Sequence, residues 1–549
     1  MCAPLWKDAA LTPETPSKQF AVVVATDITD EGLSLLRGED DLIVHTIAPT
    51  ADALRDYLPT VHALIARDDV TIDRALLDAA PNLRVIGRVG ASLNGIDIDA
   101  ASVRGIVVMN TPGVSAIAAG EHTVTLILAL ARRLVEAHNS LGAGFWLLDR
   151  RRQAGTQLMG KTLGIIGYGR VGRVVAARCL AFGMQVLAAD PYIREEQIED
   201  RRIQLVGLKE LLNKSDIVSL HVPATAETRT LIDARAIGLM KRGARLINTA
   251  FGGAVDADAL HEALVSGQIG GAGLDVYAQE PPYNSPLIGM DNVIHTPHIA
   301  ENTVEATQDL SLQIAAQVMD ALRDEDYRNV VNLPFLPGVE YETTRPYLRL
   351  AERIGAILGV LARLPVRRIA VEYRGDDMEG LVKPLTVALL KGVLTPAFGE
   401  SVNYINAPML ANERGIQVTR ARGLHTAEYT SLVSCQFTLE DGETITIAGT
   451  LLDRREAHIV QINDYRMDFI PEGYLLILGS YDSPGVIGKV GTLLADNGVN
   501  IATWQTGRAG RGGSTLTVLT LDEPLTDGVL ESLRGQAFVR HAHPIDLNG

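Results

Sequence analysis

The sequence predicts an α/β chain of four units: two consecutive domains on parallel sheets, then an α+β unit, then a small unit of βαββαβ order. Three observations carry this prediction. Short apolar strands alternate with helical stretches in two successive series, the pattern of parallel βα units. The last stretch, Gly473 to Leu547, reads strand, helix, strand, strand, helix, strand, a split βαβ sandwich. The 549 residues, 47% hydrophobic and 21% charged, exceed what one core organises and supply enough apolar surface to offset chain entropy.

The first series has strands at Ala21–Ala25, Leu42–Val44, Ala63–Ala66, Val85–Gly87 and Val107–Met109. Apolar residues at helical spacing (Val124, Ile127, Leu128, Ala131, Leu134, Val135) then predict one long helix over Ala116–His138, crossing to a second domain. The second series has strands at Thr162–Ile166, Val186–Ala189, Ile217–Leu220, Arg245–Asn248 and Gly271–Leu274, with a helix over Asp256–Ser266 and a further strand at Val293–Ile294. A helix over Asn302–Asp324, with Leu310, Leu312, Ile314, Ala315, Val318 and Leu322 on its apolar face, returns the chain to the first domain.

Asn329–Gly338, with two prolines and the paired Val330-Val331, reads as a linker. The third unit runs from there to about Phe469, with helices over Tyr347–Ala362 and Val387–Val393 and alternating strands such as Thr444–Ala448. In the last unit the strands fall at Tyr474–Leu478, Asn500–Gln505, Thr515–Leu521 and Phe538–His543, and the helices at Val486–Asn497 and Thr526–Gly535. The expected boundaries are therefore 1–112 with 299–330, 113–298, 331–470 and 471–549.

Charge and composition exclude several classes. Fifty Lys+Arg against 66 Asp+Glu give a formal charge of -16, and no basic cluster stands out, so a nucleic-acid backbone would meet net repulsion. No apolar run approaches a membrane span, and Met1–Gln19, with three prolines, Lys7, Asp8 and Glu14, lacks the apolar core of a signal peptide and is expected to be loose. Cys2, Cys179 and Cys435 stand at unrelated positions and offer neither a disulfide framework nor a ligand-spaced metal site. The expected compartment is the cytoplasm.

Gly167-Tyr168-Gly169-Arg170-Val171-Gly172 follows one predicted strand and opens a predicted helix, and the next strand ends in Asp190. Gly167 permits the tight turn, Gly169 lets backbone approach a pyrophosphate, and Gly172 lets helix and strand pack closely. The anion then faces the positive end of a helix. Asp190 would accept hydrogen bonds from ribose hydroxyls and repel a phosphate there, which favours NAD over its phosphorylated form, although Arg194 nearby weakens that preference slightly.

Several further motifs join this one: Gly160-Lys161-Thr162-Leu163-Gly164, Phe182-Gly183-Met184, Leu274-Asp275-Val276-Tyr277, Glu280-Pro281-Pro282 and Thr296-Pro297-His298. Later in the chain come Val402 to Pro408, Glu413-Arg414-Gly415, Asp482 to Gly488 and Val499-Asn500-Ile501. With them the sequence resembles the D-2-hydroxyacid dehydrogenase family, in its long form with intervening and ACT domains, over nearly its whole length. The resemblance implies two Rossmann-like domains, the first binding substrate and the second NAD, followed by an intervening domain and a regulatory ACT domain. It implies NAD-dependent oxidation of 3-phospho-D-glycerate to 3-phosphooxypyruvate, the first step of L-serine biosynthesis, in a homo-oligomer under allosteric control.

By the same resemblance, His298 exchanges a proton with the substrate hydroxyl and Glu280 pairs with it. Both residue types suit these roles, since imidazole titrates near neutrality and an adjacent carboxylate favours its protonated form. Thr249 falls to the cofactor loop, Asp275 to the nicotinamide carboxamide, and Asp482 and Asn500 to an amino-acid effector, L-serine in this family, bound across the interface between two paired ACT units. A terminal domain that only mediates oligomer contacts is the other reading of that unit.

The departures from the family pattern gather on the substrate side. Where the family has Asn, two small residues, Arg and Gly, this chain reads Asn248-Thr249-Ala250-Phe251-Gly252. A phenyl ring at 251 offers no donors to a substrate carboxylate. Asp68 follows Arg67, Ala91-Ser92, Asn94-Gly95 and Ser115-Ala116 depart from the usual residues, and Ala300-Glu301-Asn302 follows the histidine. Asp68 and Glu301 add negative charge where anions are expected, leaving Arg67 and Arg88 as candidate counter-charges. Three readings stay open: a phosphoglycerate dehydrogenase with a rearranged anion clamp, a dehydrogenase for another 2-hydroxy acid, or a nucleotide- or amino-acid-binding subunit with little turnover.

Overall fold

The apolar runs of the first series form a five-stranded sheet: β1 (Phe20–Ala25), β2 (Leu42–Thr46), β3 (Ala63–Ala66), β4 (Val85–Arg88) and β5 (Val107–Asn110), all parallel, in the order β2-β1-β3-β4-β5. Strands 63–66, 85–88 and 107–110 are buried along their whole length, as parallel strands covered on both faces must be. The structure is a computed structural model. It describes residues 19–146, 154–198, 200–334, 341–362, 365–375, 380–423, 429, 431–453, 455–508, 510 and 513–548. The expected loose leader falls outside them except for Gln19, as does the end of the expected linker, 335–338.

The second series forms a seven-stranded parallel sheet of β6 (Thr162–Ile166), β7 (Gln185–Ala189), β8 (Ile203–Leu205), β9 (Ile217–Leu220), β10 (Ala244–Asn248), β11 (Ile269–Leu274) and β12 (Val293–His295). Its order is β12-β11-β10-β9-β6-β7-β8. Successive strands step outward from β6 to one edge and from β9 to the other, so the switch point lies between them, where an open α/β sheet binds its ligand. Strand β8 escapes the sequence pattern. Three residues, Ile-Gln-Leu, are too short to print a period on the sequence.

Two helices carry the chain between these sheets. The first does not run over Ala116–His138 as expected. It ends at Arg132, Arg133 takes the left-handed conformation (φ 53°), and a second helix continues over Leu134–Gly142. Arg133 N–H still bonds the carbonyls of Ala129 and Leu130, so the residue serves as a C-cap. The second helix buries nothing in the chain, and Leu134 and Val135, counted with the apolar face, are exposed. The return helix, Val304–Leu322, starts at Thr303, whose hydroxyl accepts the Ala306 N–H. It lies tightly on the first sheet: a Cβ at Gly87 would fall 2.7 Å from Val318 Cγ2.

The stretch expected as a linker begins as a strap. Val330 bridges Met109, Val331 N–H donates to Val108 O, and Asn332 accepts the Val108 N–H, so the chain lies along β5. The third unit is a six-stranded sheet of β13 (Val366–Arg374), β14 (Gln417–Arg422), β15 (Leu432–Leu439), β16 (Thr444–Leu452), β17 (Glu456–Ile462) and β18 (Tyr465–Phe469), ordered β14-β13-β15-β16-β17-β18. Helices Tyr341–Leu361 and Val382–Phe398, both longer than expected, pack together with their backbones in contact at Gly392. The last unit has β19 (Tyr474–Tyr481), β20 (Ile501–Arg508), β21 (Ser514–Leu521) and β22 (Val539–Asp546) in the order β20-β21-β19-β22, with helices Val486–Asp496 and Asp527–Arg534, the expected βαββαβ arrangement.

One buried apolar cluster runs through one face of the first sheet, the return helix, the third unit and one face of the last sheet, while the second sheet has clusters of its own. At the joint, Tyr327 meets Tyr341 and Tyr404 edge to face, and Tyr404 donates to Glu352 at 2.9 Å. The first sheet and the C-terminal half therefore share a core, and the glycine-rich sheet stands apart from it.

Candidate active site

The glycine-rich turn sits at the carboxyl end of β6, at the switch point. Two of its glycines are demanded by packing: a Cβ at Gly167 (φ +92°) would fall 2.3 Å from His221 O, and one at Gly172 2.4 Å from Gly167 O. Gly169 differs, because a Cβ there would meet nothing within 4 Å. It faces open space at the start of helix Arg170–Ala181, with the N–H groups of the first turn beside it. Asp190, at the end of β7, is held by the N–H groups of Tyr168 and Tyr192, both at 2.9 Å. A tight turn, an open cradle and a fixed carboxylate one strand away fit an NAD pyrophosphate and ribose. Val171 packs its side chain into the core of this sheet, and Arg170 turns its guanidinium to the Pro112 carbonyl, so both offer the ligand their backbone.

The imidazole and carboxylate expected to work together are brought together. His298 Nδ1 lies 2.8 Å from Glu280 Oε2, and the other Glu280 oxygen accepts the Tyr277 N–H at 3.0 Å. The pairing leaves His298 Nε2 as the nitrogen for substrate. Partial burial disfavours the charged ring, but the Glu280 hydrogen bond and charge, with the charges of Asp275 and Asp68, outweigh it and raise the His298 pKa above 6.5. His298 is itself left-handed, with φ 53°.

Asp275, expected beside the nicotinamide carboxamide, is turned into the loop that carries His298. It is fully buried, and its carboxylate accepts from Thr296 Oγ1 at 2.6 Å and from the N–H groups of Ile299 and Ala300 at 2.9 Å. Burial raises its pKa, yet these donors together with His122 bring it down to about 2. Its oxygens anchor the backbone of the loop around His298, with Oδ1 taking Thr296 and Ile299 and Oδ2 taking Ala300. Thr249 shares a 2.7 Å hydroxyl contact with Thr123 of the crossing helix, which holds the expected cofactor loop.

The two candidate counter-charges separate. Arg88 is buried and directs its donors to the carbonyls of Arg67, Val70 and Asn94, so it braces two loops. Burial also lowers its pKa, against the pull of Asp68 and Asp69. Arg67, at the carboxyl end of β3, has a buried, unpartnered Nε, and among the described residues its guanidinium has no hydrogen-bond or ion-pair partner. The Phe251 ring lies over Gly253, whose Cβ would come 2.6 Å from its Cζ, and packs on the second sheet's core.

The expected effector residues do not share a site within one chain. Asp482 follows β19 and pairs with Arg508 at 3.0 Å; Asn500 precedes β20 at the opposite end of the sheet and donates to Asp522 at 2.6 Å. Sequence reasoning passed over His122, Thr123 and Thr296, which hold the loops of the site. A signal was there: Glu121-His122-Thr123 is a polar step in an otherwise apolar helix.

Comparison with known proteins follows the same divisions. Residues 124–300 match the D-isomer specific 2-hydroxyacid dehydrogenase NAD-binding domain, 343–463 the D-3-phosphoglycerate dehydrogenase intervening domain, and 474–538 the ACT domain. The chain is 37% identical over 527 residues to the D-3-phosphoglycerate dehydrogenase of Synechocystis, covering 96% of this chain and 94% of that one. It is 38% identical over 516 residues to the enzyme of that name from Archaeoglobus fulgidus, covering 93% and 97%. Among solved structures, the TT0316 protein from Thermus thermophilus is similar at 35% identity and a TM-score of 0.53, over 57% of this chain and all of that one. A D-lactate dehydrogenase from Aquifex aeolicus, complexed with NAD and lactic acid, is similar at 30% and 0.50, over 56% and 96%.

Proposed function

Since this chain belongs to the D-3-phosphoglycerate dehydrogenase family of D-2-hydroxyacid dehydrogenases, we propose that it performs the NAD-dependent oxidation of 3-phospho-D-glycerate to 3-phosphooxypyruvate, the entry step of L-serine biosynthesis, with His298 and Glu280 as its proton relay. The carrying observation is the 2.8 Å contact between them at the carboxyl edge of the glycine-rich sheet. Gly167, Gly169, Gly172 and Asp190 would hold NAD, which when bound would supply the acceptor for the C2 hydride. His298 Nε2 takes the hydroxyl proton, Glu280 balances the imidazolium that forms, and the proton passes on to solvent. Asp275 and Thr249 hold the loops on which this depends.

Arg67 is our candidate for the substrate's anionic group, because its guanidinium is uncommitted at the ligand edge of the first sheet. Phe251 favours a second reading, a 2-hydroxy acid other than phosphoglycerate, or slow turnover, since the ring gives a carboxylate no donor. NADH formation from a panel of 2-hydroxy acids separates these. Phosphoglycerate as the best substrate supports the first reading, another acid the second, and cofactor binding without turnover on any acid rejects both.

The proposal extends to assembly and control. Leu134, Leu141, Phe145 and Trp146, each 58–68% exposed, form an apolar arm suited to a second copy of this chain. Asp482 and Asn500, at opposite ends of one sheet, would form an L-serine site only across two copies. Among the described residues no helix is long and apolar enough to cross a membrane, and Cys179 and Cys435 are free and buried. We place the reaction in the cytoplasm.

A further inference from the structure

The crossing helix Ala116–Arg132 places His122 beneath the catalytic loop. His122 Nε2 lies 3.1 Å from Thr296 Oγ1 and 3.5 Å from Asp275 Oδ1, with the imidazole 16% exposed. Thr296 gives its single hydroxyl proton to Asp275 at 2.6 Å, so its oxygen accepts, and the hydrogen-bond network assigns the His122 proton to Nε2. Asp275 then holds the far side of the loop: its carboxylate takes the N–H groups of Ile299 and Ala300, and its carbonyl takes that of His298 at 2.9 Å. Between these bonds sits His298 in the left-handed conformation, which is uncommon for a residue with a side chain.

We propose that His122 is a positioning residue for this reaction: through Thr296 and Asp275 it fixes segment 296–300 and so aims His298 Nε2 at the substrate hydroxyl. Its neighbour Thr123 grips Thr249 at 2.7 Å, so one turn of the crossing helix holds the catalytic loop and the 248–251 loop together. This helix leads out of the first sheet's domain, which ties the aim of the relay to the element that joins the two domains. The inference rests on His298 as the relay, and its test separates the two claims.

In the full-length chain, with NAD and 3-phospho-D-glycerate, His122→Leu should lower kcat about tenfold or more, a typical cost of misaiming a catalytic group. NADH affinity, read by fluorescence, should stay within about twofold, because the cofactor's own contacts are untouched. His122→Gln, whose amide nitrogen reaches the same Thr296 oxygen, should keep kcat within about threefold of the parent. A second readout needs neither cofactor nor turnover: the His298 ring proton, assigned by its loss in His298→Asn, is titrated by NMR. Its midpoint should stand above 6.5 in the parent and the Gln variant and fall toward 6.5 in the Leu variant as the Glu280 contact loosens. Should His122→Leu be unstable, Thr296→Val removes the same link and is expected to give the same fall.

An unchanged kcat or an unchanged His298 titration in His122→Leu overturns the positioning role, as does equal impairment of the Gln and Leu variants. If His298→Asn retains parental turnover, the relay reading fails instead, whatever the His122 variants do.

Discussion

The nucleotide wall and the substrate wall of the cleft are built by different means. On the nucleotide wall Gly167 and Gly172 are required by backbone packing, Gly169 leaves the helix start open, and Asp190 and the His298–Glu280 pair are fixed by hydrogen bonds. On the substrate wall the residue types are visible in the sequence, but their use is not: Arg88 and Arg67 differ only in where the guanidinium goes, one inward to three carbonyls and one unclaimed. Cofactor recognition here is written mostly in backbone geometry, which glycines announce. Substrate recognition is written in side-chain direction, which nothing in a linear sequence fixes.

That contrast can be broken from either wall. The largest effect belongs to the nucleotide wall, where His298→Asn should cost about a thousandfold in kcat while leaving NADH affinity near the parental value, as expected for a lost general base. On the substrate wall, Phe251→Arg should raise kcat/KM for 3-phospho-D-glycerate about a hundredfold, since one preorganised donor to a reacting acid is worth on the order of 3 kcal/mol. No gain would mean that another group already clamps the carboxylate. The finest test compares the two arginines: Arg67→Gln should raise KM about tenfold with the thermal midpoint unchanged, as for a lost charge-assisted contact. Arg88→Gln should lower the midpoint by several degrees, because the buried guanidinium that braces three carbonyls of two loops is lost. The reverse outcome would exchange their roles.

Most of the fold is legible in the sequence, for physical reasons that also mark its exceptions. Parallel strands buried on both faces appear as unbroken apolar runs, and the βαββαβ unit shows its order through alternation and helical spacing. The break at Arg133 is invisible, because its left-handed turn uses no glycine and the apolar spacing continues through it into a helix that buries nothing. The strap along β5 reads as a linker, since Asn332 and Val331 bond to Val108 across a long stretch of chain. The contacts of Asp275 are not legible either, because the four groups that hold its carboxylate, His122 among them, come from other segments of the chain.

The relay itself is tested most directly by measuring kcat/KM against pH in both directions of the reaction. Oxidation needs a neutral His298, so it should rise with pH through a pKa above 6.5; reduction needs the imidazolium, so it should fall through the same pKa. Glu280→Gln should move that pKa down in both profiles, because it removes the carboxylate that holds the proton. Profiles that run in the same direction, or a pKa that ignores Glu280→Gln, would contradict the account.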